Sequence, residues 1–144
     1  MKRIIVAMSK YDAEVRADLT DKSQRKMYEH LVLLLLYPKT EYADGWRKEV
    51  YAFENSVERL KRTKRFPKEK FIYSCLSECE DVIPQIVAQC KDKMAGTNII
   101  PKHYEYEEIE ELIDKYVRWL SYQLSVKGYV TITEVTIELK ELGF

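Results

Sequence analysis

The sequence predicts an all-α protein, a single-domain helical bundle of about six to seven helices over residues 1–144. Apolar residues recur at steps of three and four along nearly the whole chain, which is the period of an amphipathic helix. Only four Gly and four Pro occur in 144 residues, leaving little material for the tight turns of a β protein. No internal repeat, low-complexity tract or linker divides the chain. A domain of this size hides about 68 to 70% of its unfolded surface, so it needs no disulfide staples.

The first expected helix carries Ile4, Met8, Tyr11, Val15 and Leu19 on one side. A short strand at residues 3–8 competes with it over RIIVAM. Asp21 can cap a second helix through LVLLLLY, which must stop near Pro38 because a residue before proline is pushed out of the α region. Asp44, before Gly45, can cap a third. Its Trp46, Val50, Phe53, Val57 and Leu60 repeat at 4, 3, 4 and 3, the cleanest amphipathic stripe in the chain.

Pro67 suits the first turn of a fourth helix with Phe71, Cys75, Leu76 and Cys79 on one face. Pro84 removes a backbone donor, so a break with Asp81 as the new cap is expected before Val82, Ile83, Ile86, Val87, Cys90 and Met94 continue the pattern. Gly96 can close that segment as a C′ residue. Ile109, Leu112, Ile113, Tyr116, Val117, Leu120 and Leu124 then form a broad stripe ending before Gly128. Thr131 and Glu134 have the spacing of a capping box, and Gly143 stands where the last helix would end. Ile132, Val135, Leu139 and Leu142 would share its face. The β-branched run at 129–137 keeps short β-structure as the alternative there.

Hydrophobic residues at 46% beside 33% charged residues lie near the globular average, which excludes general disorder and collagen-like classes. The three cysteines, Cys75, Cys79 and Cys90, are odd in number and form no C-x-x-C pair, so they read as reduced core thiols in a cytoplasmic protein. The opening MKRIIVAMSKYDAE breaks its apolar run too early for a signal peptide. LVLLLLY falls far below the roughly 20 residues that cross a bilayer, and no membrane partner is expected. Apolar on every side, that stretch fits the central helix of a bundle; with one side uncovered it would instead form a partner or oligomer interface.

Net charge is zero, yet residues 1–70 hold 17 basic and 11 acidic groups while residues 71–144 hold 7 and 13. The basic excess culminates in RLKRTKRFPKEKF, residues 59–71. There Arg59, Lys61, Arg62, Lys64, Arg65, Lys68 and Lys70 could neutralise phosphates, and Phe66 could stack on an exposed base. The same cations also suit the C-terminus of a helix, where they meet its dipole and last carbonyls. The acidic counterpart is YEYEEIEELID, whose Glu107, Glu110, Glu111 and Asp114 lie away from the apolar stripe. Acids at a helix start complement its dipole; they could equally pair with a basic partner.

Chemistry is less visible. His30 and His103 are the only histidines, and neither lies in a recognisable nucleophile motif; no P-loop, dinucleotide-binding glycine pattern or G-x-S-x-G elbow occurs. No spacing implies a metal site, and no cofactor is expected. The fragment RKMYEH separates Arg25 from His30 by four residues and resembles the R-x4-6-H motif of the all-helical HEPN ribonucleases. That resemblance implies metal-independent RNA cleavage with Arg25 and His30 in an active site at a dimer interface. It covers six residues, lies early in the chain, and has Lys26 where the family carries a small polar residue. No catalytic residue is assigned.

The expectation is therefore a non-enzymatic protein-binding module, acting as a small regulator, inhibitor or adaptor on a protein partner or as a homo-oligomer. A nucleic-acid-binding regulator using residues 59–70 is the alternative, with the ribonuclease a third.

Overall fold

The computed structural model describes residues 25–62 and 82–144, with the side chains of residues 54–62 and 125 excepted. Five helices lie among the described residues and no strand does. They are α1 (25–36), α2 (Ala43–Arg62), α3 (82–93), α4 (Tyr106–Val126) and α5 (Ile132–Leu142). The expected helices over Ile4–Leu19 and after Pro67, the strand alternative at residues 3–8, and the Asp21 and Asp81 caps lie outside the described residues. Five helices, rather than six to seven, are what the described residues contain.

The core is one cluster to which all five helices contribute. At its centre Leu31, Val32, Leu33, Leu34 and Leu35 of α1 are wholly buried, and Leu36 and Tyr37 nearly so. Five consecutive buried residues span well over one turn, so the second half of α1 is covered on every side, while Arg25 and Lys26 at its start are exposed. The over-hydrophobic stretch is thus interior, and its reading as an exposed partner interface is corrected. Each such leucine gains about 1.5 to 3 kcal/mol on leaving water, an upper estimate because the unfolded chain is itself partly collapsed.

Pro38 stops α1 as expected: Tyr37 donates its N–H to the Leu33 carbonyl at 2.9 Å, and it is the first non-helical residue. A helix end leaves carbonyls without intrahelical donors. Here Lys102 N–H reaches the Leu36 carbonyl at 2.7 Å, tying the loop before α4 to the end of α1. At the other end of α1, α3 is joined through Cys90 Sγ to the Glu29 carbonyl at 3.5 Å and through Lys93 to the Glu29 carboxylate at 3.6 Å.

Trp46, Val50 and Phe53 confirm the first half of the α2 stripe as core. Asp44 does not cap the helix. Trp46 N–H meets the Tyr42 carbonyl at 3.0 Å, so Tyr42 is the boundary residue, and Asp44 in the first turn bonds Arg47 at 3.1 Å. Arg47 also donates to the Phe144 carbonyl at 3.4 Å, linking the start of α2 to the end of α5. Pro84 is helical in α3. Gly96 is not a left-handed C′ residue, because α3 ends at residue 93 and its chain leaves through a turn without positive φ at that glycine.

Two glycines do end helices through the left-handed region. Gly128, at φ 83°, donates its N–H to the Leu124 carbonyl at 3.0 Å and turns the chain from α4 toward α5. Gly143, at φ 100°, closes α5: its N–H meets the Lys140 carbonyl, and Phe144 N–H reaches back to Leu139 at 2.7 Å, a Schellman arrangement. The buried Phe144 then packs edge-on against Tyr116 of α4, with ring centroids 6.3 Å apart. The stretch 129–137 is not β-structure. Residues 129–131 are an irregular entry, and α5 starts at Ile132 with Thr131 Oγ1 accepting the Glu134 N–H at 3.2 Å. A local cap thereby overrides the β preference of branched residues.

Removing that cap should be measurable. Thr131→Ala is expected to cost about 1 kcal/mol in urea unfolding, whereas the exposed Thr133→Ala should stay within about 0.5 kcal/mol of the parent.

Candidate functional site

The end of α4 and the chain leading into α5 expose apolar side chains that the core does not use. On α4, one turn apart, Tyr122 and Val126 are 65% and 64% exposed. Tyr129 follows the Gly128 turn and is also exposed, as are Ile132 and Ile137 on α5. Val135 and Leu139 are buried and Leu142 is half-buried, so Ile132 is the one member of the expected α5 face that turns outward.

Charge is scarce at this corner. Between Arg118 and Glu134 the chain has one charged residue in 15, Lys127, against one in three overall. Lys127 pairs with Glu134 across the turn and lies 5.6 Å from the Tyr129 ring centroid, so even that charge is locally compensated. The corner is therefore an apolar, tyrosine-bearing surface with no net charge from this stretch. Its signal in the sequence was Tyr122 and Val126 falling outside the α4 stripe, together with the gap in charged residues.

The acidic candidates share one side of α4 but are not equivalent. Glu107 is exposed in the first turn. Glu111 is 3.5 Å from Lys115, and Asp114 accepts from Arg118 Nε at 2.8 Å, each pair one turn apart. Glu110 is half-buried. Negative charge is thus concentrated toward the start of α4 and balanced by its own cations farther along. Of the basic candidates, Arg59, Lys61 and Arg62 sit in the last turns of the α2 backbone. Lys64, Arg65, Lys68 and Lys70, with Phe66, lie outside the described residues.

Among the described residues the cysteine and histidines are Cys90, His30 and His103. Burial pushes the Cys90 thiol up to about 12, with Glu29 adding to the shift and Lys93 opposing it. A thiol held protonated in this way is a poor nucleophile. Burial also raises Tyr37, with Cys90 contributing. His30 Nδ1 lies 2.6 Å from the Lys26 carbonyl, an acceptor, so that nitrogen carries the proton. Arg25 and His30, five residues apart on α1, point about 140° from each other around the helix axis. His103 is an exposed loop residue, 3.2 Å from Glu105 at the entry to α4. Among the described residues no three His, Cys, Asp or Glu side chains group as metal ligands, and no helix is long and apolar enough to cross a membrane.

Compared with protein-family models, curated proteins and solved structures, the chain matches none.

Glu138 gives the α5 surface a pH signature. Burial, then the neighbouring Glu141, raises its pKa from the ordinary glutamate value. A carboxyl raised on folding binds its proton more tightly in the native state, so its contribution to stability is lost as pH rises through the raised pKa. Glu138→Gln should therefore raise the melting temperature at pH 7, with the gain shrinking toward pH 4. Equal melting temperatures at pH 7 would contradict this.

Proposed function

We propose that this protein is a non-enzymatic helical module that binds another protein chain, acting as a small regulator, inhibitor or adaptor, and that the α4–α5 corner is its contact surface. The observation carrying this reading is the exposure of Tyr122, Val126, Tyr129 and Ile132 within the stretch poorest in charge. Protein interfaces are depleted of charge at their centres and enriched in tyrosine, and exposed apolar clusters on an otherwise charged surface mark contact sites. The buried, protonated Cys90 fits a role without thiol chemistry.

A photo-crosslinking amino acid at position 122 tests this in cells of the protein's source. Discrete protein adducts are expected there and not from the exposed position of Lys48 on α2. Indistinguishable adduct patterns from the two positions would contradict the reading.

The seven cations of residues 59–70, set against one acid, favour a second reading: phosphate contacts to nucleic acid. Fluorescence anisotropy with labelled DNA and RNA tests it. Arg62→Glu/Lys64→Glu/Arg65→Glu should weaken binding and flatten its salt dependence by roughly one counterion per lost contact. Unchanged binding in the triple variant would remove this reading.

A further inference from the structure

We infer that the outward face of α4 receives a basic amphipathic helix of a partner protein, with apolar side chains over Tyr122 and Val126 and lysines or arginines over Glu107 and Glu108. This rests on reading the end of α4 as protein-binding and names the chemistry of its partner.

The residues concerned lie on one face of the helix. At about 100° per residue, Glu107, Glu111, Lys115, Arg118, Tyr122 and Val126 fall within about 100° of arc around α4, with Glu108 at its edge. Each of them is exposed, whereas Ile109, Ile113, Tyr116, Leu120 and Leu124 are buried on the opposite side. From Glu107 to Val126 this face runs for about 28 Å.

Charge changes along its length. In the middle, Lys115 is 3.5 Å from Glu111 and Arg118 Nε donates to Asp114 at 2.8 Å, so that part neutralises itself. Toward the end of α4, Tyr122 and Val126 are 65% and 64% exposed. At its start, Glu107 and Glu108 have no cation partner among the described residues. An incoming cation therefore meets carboxylates that it need not draw from an existing pair. A partner that serves both ends must carry cations and apolar residues about 21 Å apart, the rise from Glu108 to Tyr122.

Backbone geometry selects a helix for that role. The main-chain groups along α4 are bonded within the helix, so it offers a partner side chains and no strand edge. A second helix presents its side chains in a stripe with the same rise per residue, so its ridges can follow this face along its length. The apolar end then contributes by removing surface from water, and the acidic end by an attraction that salt screens.

Isothermal titration calorimetry of the whole chain with a synthetic stapled helix tests the proposal. The peptide has about 20 residues, enough to span the face. Its stripe carries leucines in one half and lysines in the other, and a control peptide of the same composition interleaves them. The wild type should bind the patterned peptide about tenfold or more tightly than the control. Tyr122→Ser/Val126→Ser should weaken binding about tenfold with its salt dependence retained; Glu107→Lys/Glu108→Lys should weaken it about tenfold and flatten that dependence. Lys48→Ala, at an exposed position on α2, should bind as the wild type does. Circular dichroism confirms that each variant retains its helices. No binding, equal binding of the two peptides, or binding unaffected by either double variant would overturn the proposal. If neither peptide binds while position 122 crosslinks discrete proteins, the partner's chemistry is wrong and the protein-binding reading stands; if the adducts also match those from position 48, both fail.

Discussion

A helical stretch that is apolar on every side cannot rest at a surface, and the described fold follows from enclosing residues 31–37 at the end of α1. Leu31 through Tyr37 leave no polar face to turn toward water, so neighbouring elements must cover the whole circumference. The attachments at the two ends of α1 show how this is done without stranding its backbone. Lys102 N–H satisfies the Leu36 carbonyl at one end, while Cys90 and Lys93 bring α3 to Glu29 at the other. The loop after α3 must therefore return to the end of α1 before α4 can begin. Burial at Cys90 has a chemical consequence as well: the thiol that joins α3 to α1 is held protonated by the packing that places it there.

With the most apolar segment consumed by the core, recognition has to use what remains outside. The exposed surface divides by charge. The first half of α4 carries acids, the middle pairs them with Lys115 and Arg118, and the last turn is apolar. The turn at Gly128 and the Thr131 cap fold α5 back beside it. The uncharged end of one helix and the start of the next thus lie beside each other. The Lys127–Glu134 pair spans that turn, removing the charges that would interrupt it.

Much of this was legible from residue order. Periodicity located the core residues of α2, α3 and α4; Pro38 marked the end of α1; and Thr131 with Gly143 bracketed α5, because caps and glycines act over a few neighbouring residues. Misreadings arose where several local signals competed. Asp44 has the chemistry of a cap, but the preceding turn starts the helix two residues earlier, leaving Asp44 to pair with Arg47. Gly96 looked like a terminator, although α3 ends before reaching it. The branched residues at 129–137 left a strand open as the alternative to the expected helix, because β propensity reflects packing context, here supplied by Val135 and Leu139 in a helix. The corner itself was the hardest to see. Tyr122 and Val126 are apolar like the core, and only the placement of α4 against its neighbours decides which apolar residues face outward.

The central claim is that residues 31–37, at the end of α1, are interior, so that recognition falls to exposed side chains such as Tyr122, Val126 and Tyr129. Hydroxyl-radical footprinting of the dilute protein, read residue by residue by mass spectrometry, tests both halves together. The account predicts strong labelling of Tyr122 and Tyr129 with protection of Leu33 through Tyr37. Labelling of the α1 residues as strong as that of Tyr122 would contradict it, because the helix would then present a face to solvent and the recognition surface would have to be assigned to α1 instead.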